Sequence, residues 1–232
     1  MQSEKVTTDE ESTGLRQERR WYDDACGTAL GMELVGERWS LLVVRELMFG
    51  PRRFGEIKAN LPGISANVLT QRLEGLITSG IAVRRQLRSP GNVAAYDLTD
   101  WGREAETAIR ELGRWAARSP RHDPLLFMSP ASAMISLRTL IDDARARTVT
   151  GRIAFCMPTD AFVATLREGT LTIVRGETDV ADVTFTGDTM AMRRSLYGKE
   201  GFDADGLLAI QGDRDLAHRF SDLFALPKKL AA

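Results

Sequence analysis

The feature that most constrains this chain is a change of hydrophobic period at Gly80. In SANVLTQRLEGLITSG (65–80), Val68, Leu69, Leu73, Leu76 and Ile77 recur at three and four, one apolar helical face, and Ser65 is placed to cap the first turn. Beyond Gly80, IAVRRQLR (81–88) and VAAYDLT (93–99) read as two strands joined by the turn SPGN (89–92), with Gly91 in the turn. Thr99 then caps a long helix over 100–118, striped by Trp101, Ala105, Ala108, Ile109, Leu112, Trp115 and Ala116. Upstream, two apolar helical patterns lie between 25 and 48, closed by Gly50-Pro51, and a short helix over 52–61 stops at Pro62-Gly63. Three helices, a helix after a tight turn, a hairpin and a closing helix predict a winged helix-turn-helix over residues 21–120.

The flanking segments have a different texture. Residues 1–20 are polar and lack an apolar period, which predicts a frayed arm. RSPRHDP (118–124) carries two prolines and marks a boundary, with a second domain over 125–228. There the pattern gives a helix over 131–147 and four strand-like runs, GRIAFCMP, DAFVATLREG, TLTIVRGE and VADVTFTGD. Two helical pieces, TMAMRRSLYGKEG and DRDLAHRFSDLFAL, close the chain, and the fold class is α+β.

Charge separates the functional classes. The whole chain carries only −1, yet between Gly50 and Tyr96 seven basic residues face two glutamates, a local +5 that leaves −6 on the remainder. Asn67, Thr70 and Gln71 lie opposite the apolar stripe of the 65–80 helix, and amides or hydroxyls can read base edges in a major groove. Ser65 stands at the helix start, where helix-turn-helix proteins touch bases. Arg52, Arg53 and Arg72 add positive charge for phosphate contacts, and the hairpin residues Arg84, Arg85 and Arg88 are expected to form a wing reaching phosphate or the minor groove. These residues make double-stranded operator DNA the expected partner.

Other chemistries find little support. Two cysteines 130 residues apart, without an apolar leader, fit a reducing cytoplasm, and no apolar run reaches the ~18 residues of a membrane span. His122 and His218 are too few and too isolated for a histidine-based metal site or a catalytic triad. In EGFDADGLLAIQGDRD a calcium-loop alignment puts glycines at the first and last ligand positions, and no phosphate-cradling loop or dinucleotide fingerprint is present. No enzyme activity, metal or cofactor is expected. Cys156, in mid-strand between Phe155 and Met157, reads as core.

The motifs GERWSLLVVREL, GPRRFGEI, LPGISANVLTQRLEGL and YDLTDWGR, with Cys26 before the first helix, resemble the HxlR-type winged-helix regulators, relatives of the MarR group, across residues 20–118. Gly27, Ala66 and Asn67 stand where the family commonly has Pro after the cysteine and Lys or Pro in the recognition helix. The resemblance implies a transcriptional regulator, a repressor, binding a pseudo-palindromic operator as a homodimer built from the closing and amino-terminal helices. The apolar stripe of 100–118, more than a small domain can hide, points the same way. The resemblance also makes Cys26 a candidate for oxidation or alkylation, against a plain packing role.

Residues 125–226 resemble the sterol carrier protein type two fold through VTFTGD, MRRSLYG and LLAIQGDRDLAHRFSDLF. That likeness implies a pocket for a hydrophobic small-molecule effector, lined by Phe155, Phe162, Phe185, Met192, Leu196 and Phe220. Taken by themselves, the same residues read more readily as an ordinary packed core, so the pocket is what the resemblance implies. The alternative function is a lipid or hydrophobe carrier that uses its winged helix only for dimerisation or protein docking.

Overall fold

The computed structural model describes residues 22–87 and 93–231. The expected arm over 1–20, the Arg88 side chain and Gly91 lie outside the described residues. Four helices open the chain: α1 (Gly27–Val35), α2 (Ser40–Leu47), α3 (Phe54–Ala59) and α4 (Ala66–Thr78). α2 is the centre of this half, with Val43, Val44 and Leu47 wholly buried, and α4 lays Leu69, Leu73 and Leu76 into the same core. In the α3–α4 turn Gly63 adopts φ +90°, a left-handed conformation that favours glycine, while Leu61 and Ile64 plug the space beneath. The helices of the motif are thereby fixed at their crossing.

β1 (Ala82–Leu87) and β2 (Val93–Leu98) pair antiparallel from Ala82↔Leu98 to Leu87↔Val93. A third, single-residue bridge joins Arg52 to Tyr96, with reciprocal 2.8 Å main-chain hydrogen bonds. Gly102 then sits so close to the wing that a Cβ there would lie 2.0 Å from the Ile81 carbonyl oxygen. The closing helix is not continuous over 100–118. α5 (Asp100–Glu104) ends at Ala105, whose amide bonds back to the Gly102 carbonyl, and α6 (Glu106–Ala117) starts anew. That shorter-range bond tightens the turn and separates the piece seated on the wing from the piece that leaves it.

The helix expected over 131–147 is also divided. α7 (Pro130–Leu140) gives way at Ile141, which is extended and bridges to Phe224, and Asp142 caps α8 (Asp143–Ala146) by accepting from the Ala144 and Arg145 amides. A capping aspartate restarting a helix explains the break. The five-stranded sheet that follows consists of β3 (Gly151–Met157), β4 (Asp160–Arg167), β5 (Thr170–Arg175), β6 (Val183–Thr186) and β7 (Ala209–Gly212), ordered β5-β4-β3-β6-β7. Only the β3–β6 pair is parallel. Sequence patterning missed β7, since Ala-Ile-Gln-Gly has no alternation of its own and becomes a strand by pairing with β6. α9 (Thr189–Met192), a π-helical turn (Arg193–Tyr197) and α10 (Arg214–Ser221) complete this α+β half.

The strand alternation also corrects Cys156. Phe155 points inward at 1% exposure, so the next residue points to the opposite face, and Cys156 is exposed there. No helix among the described residues is long and apolar enough to cross a membrane.

Candidate nucleic-acid interface

α4 presents the face that the sequence promised. Asn67, Thr70 and Gln71 are all exposed, while Leu69 and Leu73 between and after them are buried. Ser65 is exposed and its hydroxyl oxygen accepts the Val68 amide at 3.2 Å, so it serves as the helix cap and keeps its own proton to donate. Glu74 follows on the same face, exposed, and was overlooked in the search for amides and hydroxyls. A carboxylate there can accept from a cytosine amine but repels phosphate.

The arginines divide. Arg84 is exposed, with its guanidinium 5.6 Å from the Tyr96 ring centroid, and Arg85, also exposed, pairs with buried Asp97 at 2.7 Å. Arg103 approaches the other oxygen of Asp97 at 2.6 Å, so one carboxylate orients the base of the wing. Arg53 is half-buried at the start of α3, and Arg72 is held at 3.1 Å from Glu37.

Arg52 does not belong to this surface. It is buried at 8% exposure, and its guanidinium pairs with Asp160 of β4. Arg175 of β5 binds the other Asp160 oxygen at 2.9 Å and donates to the Phe49 carbonyl at 3.2 Å. Burial brings the Arg175 pKa down to about 10, with Glu46 and Glu56 acting the other way, so it remains charged at neutral pH. The basic residue that bridges to Tyr96 of β2 is therefore turned inward, to the second half of the chain.

Cys26 stands immediately before α1, exposed and unpaired. The amide and hydroxyl of Thr28 and the amide of Ala29, at the start of α1, lower its thiol pKa from the ordinary value. That places its thiolate nearer neutral pH.

The six residues expected to line a pocket inside the second half are packed in its core and are not among those lining the cleft between the halves. Phe155, Phe162, Phe185, Met192, Leu196 and Phe220 are each at most 1% exposed, and the aromatic rings fill the interior, with Phe155 and Phe185 centroids 5.5 Å apart and Phe220 and Phe224 5.0 Å apart. Space of about 470 Å³ lies instead in that cleft, walled by α2 and α6 on one side and by α7 and the π-turn on the other. The linker Pro124–Met128 runs along its edge. Among the described residues no cluster of three metal-ligating side chains occurs.

A model of the HxlR-like helix-turn-helix family matches residues 34–123, from the end of α1 through α6. YvaP of Bacillus subtilis, an HTH-type transcriptional regulator, is 34% identical over 85 residues, covering 37% of this chain and 79% of the relative. YodB of the same organism is 36% identical over 83 residues, covering 36% and 74%. The chain belongs to the HxlR-like helix-turn-helix family. An HTH-type regulator of Mycobacterium tuberculosis is 43% identical over 96 residues, and there the chain spans 59% of the relative's length. The solved structure of reduced YodB matches 43% of this chain and 100% of its own at 31% identity, with a TM-score of 0.38. All of these HxlR-like matches fall on less than half of the chain, and these relatives are named as transcriptional regulators, not enzymes.

Proposed function

We propose that this HxlR-like chain binds double-stranded operator DNA as a homodimer and represses transcription by occupying the operator. The observation that carries this is the exposed face of α4, where Asn67, Thr70 and Gln71 offer uncharged hydrogen-bonding groups beside the exposed arginines Arg84 and Arg85. α4 reads base edges; the wing arginines, with Arg53, Arg72 and Arg88, supply phosphate contacts. Arg52 is withdrawn from that set, because it is buried and directed to Asp160. Dimerisation uses the exposed apolar residues of the closing helices and α1, since Trp101, Leu112 and Trp115 are 50%, 48% and 71% exposed and Leu30 and Met32 are 44% and 50% exposed.

An apolar small-molecule effector would act through the cleft between the halves, where it touches helices of both. It needs only ~1–3 kcal/mol of differential affinity to shift operator binding. The names borne by the relatives favour regulation over the carrier reading.

The test is a gel shift with the chain's own upstream DNA at several salt concentrations. Gln71→Ala should cost about 1–3 kcal/mol on the preferred sequence and relax discrimination. Arg84→Ala should weaken all duplexes alike and lower the salt slope by about one. Retained affinity and an unchanged slope in both variants would contradict the assignment.

A further inference from the structure

The cleft between the halves carries a chemical signature beyond its size. Its walls are mainly apolar, including Leu42 of α2, Ile109 of α6, Ile135 and Leu140 of α7, and Leu126 of the linker. A volume of about 470 Å³ falls in the range of about 300–1,000 Å³ used for small organic ligands. Sites of this kind orient their ligand through a few placed polar groups, and here the polar groups are unequal in what they have left to offer.

Four arginines at or near this junction show the contrast. Arg45 pairs with Glu46, Arg138 with Glu106, and Arg194 with Glu200. Arg193, the first residue of the π-turn and only 7% exposed, has no carboxylate partner of this kind. Its guanidinium donates to the main-chain oxygens of Leu126 at 2.7 Å and Leu125 at 3.4 Å, and its Nε is buried without a partner. Burial pushes its pKa down, while Asp123 and Asp188 act in the opposite direction from a distance. A buried cation on an apolar cleft, held by two carbonyls and the Met190 sulfur at 2.7 Å with no carboxylate against it, favours an anion that can bind it in two places. The linker residues it holds, Leu125 and Leu126, are themselves 70% and 66% exposed, so the carbonyls are supplied by a segment with little packing of its own.

One turn further along, Tyr197 and Ser136 form a hydroxyl pair at 2.8 Å, and Ser136 also donates to the Ala133 carbonyl at 2.7 Å. With both protons committed, the pair can only accept. The cleft thus offers a cation at one place and acceptors at another, which argues against a second anionic group on the same ligand.

We propose that this cleft binds an apolar small molecule bearing one carboxylate, its body lying between α6 and α7 and its carboxylate taking the place of the Leu125 and Leu126 carbonyls on Arg193. The proposal rests on the effector reading above only for its consequence in regulation, since binding is measured without DNA. Calorimetric titration of the full chain with decanoate, decan-1-ol and decylammonium, which share one alkyl body, tests it. Decanoate should bind about 10- to 100-fold more tightly than decanol, and decylammonium more weakly still.

Arg193→Gln should reduce the decanoate preference to within about threefold, and Arg193→Lys should keep most of it. Because Arg193 also anchors the linker, Leu42→Trp provides a second check from the opposite wall: it fills the cleft, leaves Arg193 intact and should weaken decanoate binding at least about tenfold. Equal affinity for decanoate and decanol, no binding by either up to about 1 mM, or a preference that survives in Arg193→Gln overturns the proposal. Binding that fades as protein concentration rises through dimerisation also overturns it, by showing that a second copy fills the cleft. Loss of operator binding with decanoate selectivity intact would sink the regulator reading and leave this site standing.

Discussion

Cys26 and Asp160 show how little side-chain identity says before its surroundings are known. Cys26 lies before α1, where the amides of Thr28 and Ala29 and the Thr28 hydroxyl lower its pKa and favour the thiolate. The sign is direct: a lowered pKa populates the reacting anion at lower pH, so alkylation should accelerate with a midpoint below the ordinary thiol value of about 8.5. Rates of iodoacetamide modification against pH, measured in a Cys156→Ser variant to isolate the site, check this; a midpoint at or above the ordinary value contradicts it. The same variant is needed because Cys156 is itself exposed, on the open face of β3. Asp160 is the reverse case, an unremarked residue at a strand start that binds two arginines from different parts of the chain.

At the scale of elements, the division of the closing helix at Ala105 gives its two parts separate tasks. α5 is locked to the wing through Gly102, whereas α6 carries Ile109 toward the cleft and turns Trp115 outward at 71% exposure. An outward tryptophan at that exposure is a natural hot spot for a second copy. If the chain dimerises as proposed, Trp115→Glu should leave it monomeric at micromolar concentration with little change in the melting temperature of the fold, because the side chain is mostly exposed within its own chain. It should also lower operator affinity by about 10²-fold or more, since each half-site would then be bound separately. Sedimentation of wild type and variant decides the matter, and an unchanged assembly would place the interface elsewhere. α1 behaves similarly: with no buried residue, it is held in this chain by little packing of its own.

For the whole molecule, the junction between the halves is held by polar groups as well as packing. Glu46 of α2 is fully buried and accepts from Ser129, at the start of α7, at 2.6 Å and from Arg45 at 2.9 Å. Asp160 joins Arg52, at the third strand position of the wing, to Arg175 of β5. Asp160→Ala would leave two largely buried guanidinium groups without their shared carboxylate and should cost about 3–5 kcal/mol, read as a lowered urea midpoint. Asp160→Asn, which keeps the acceptor and loses the charge, should cost less; equal stability of all three proteins would remove this cluster from the account. The α4 stripe, the hairpin and the exposed amide face were legible because each depends on short-range period, capping and turn chemistry. Arg52 was misplaced because its backbone signals, which are local, said nothing of a carboxylate 108 residues away. The cleft between the halves was not legible for a related reason: apolar identity marks what will be buried, and only the assembled packing decides where space is left over. Sequence alone thus determined the family, the amide-bearing helix and the wing beside it, while the tertiary structure decided which charges remain available and where a ligand could enter, since both depend on what long-range contacts bring together.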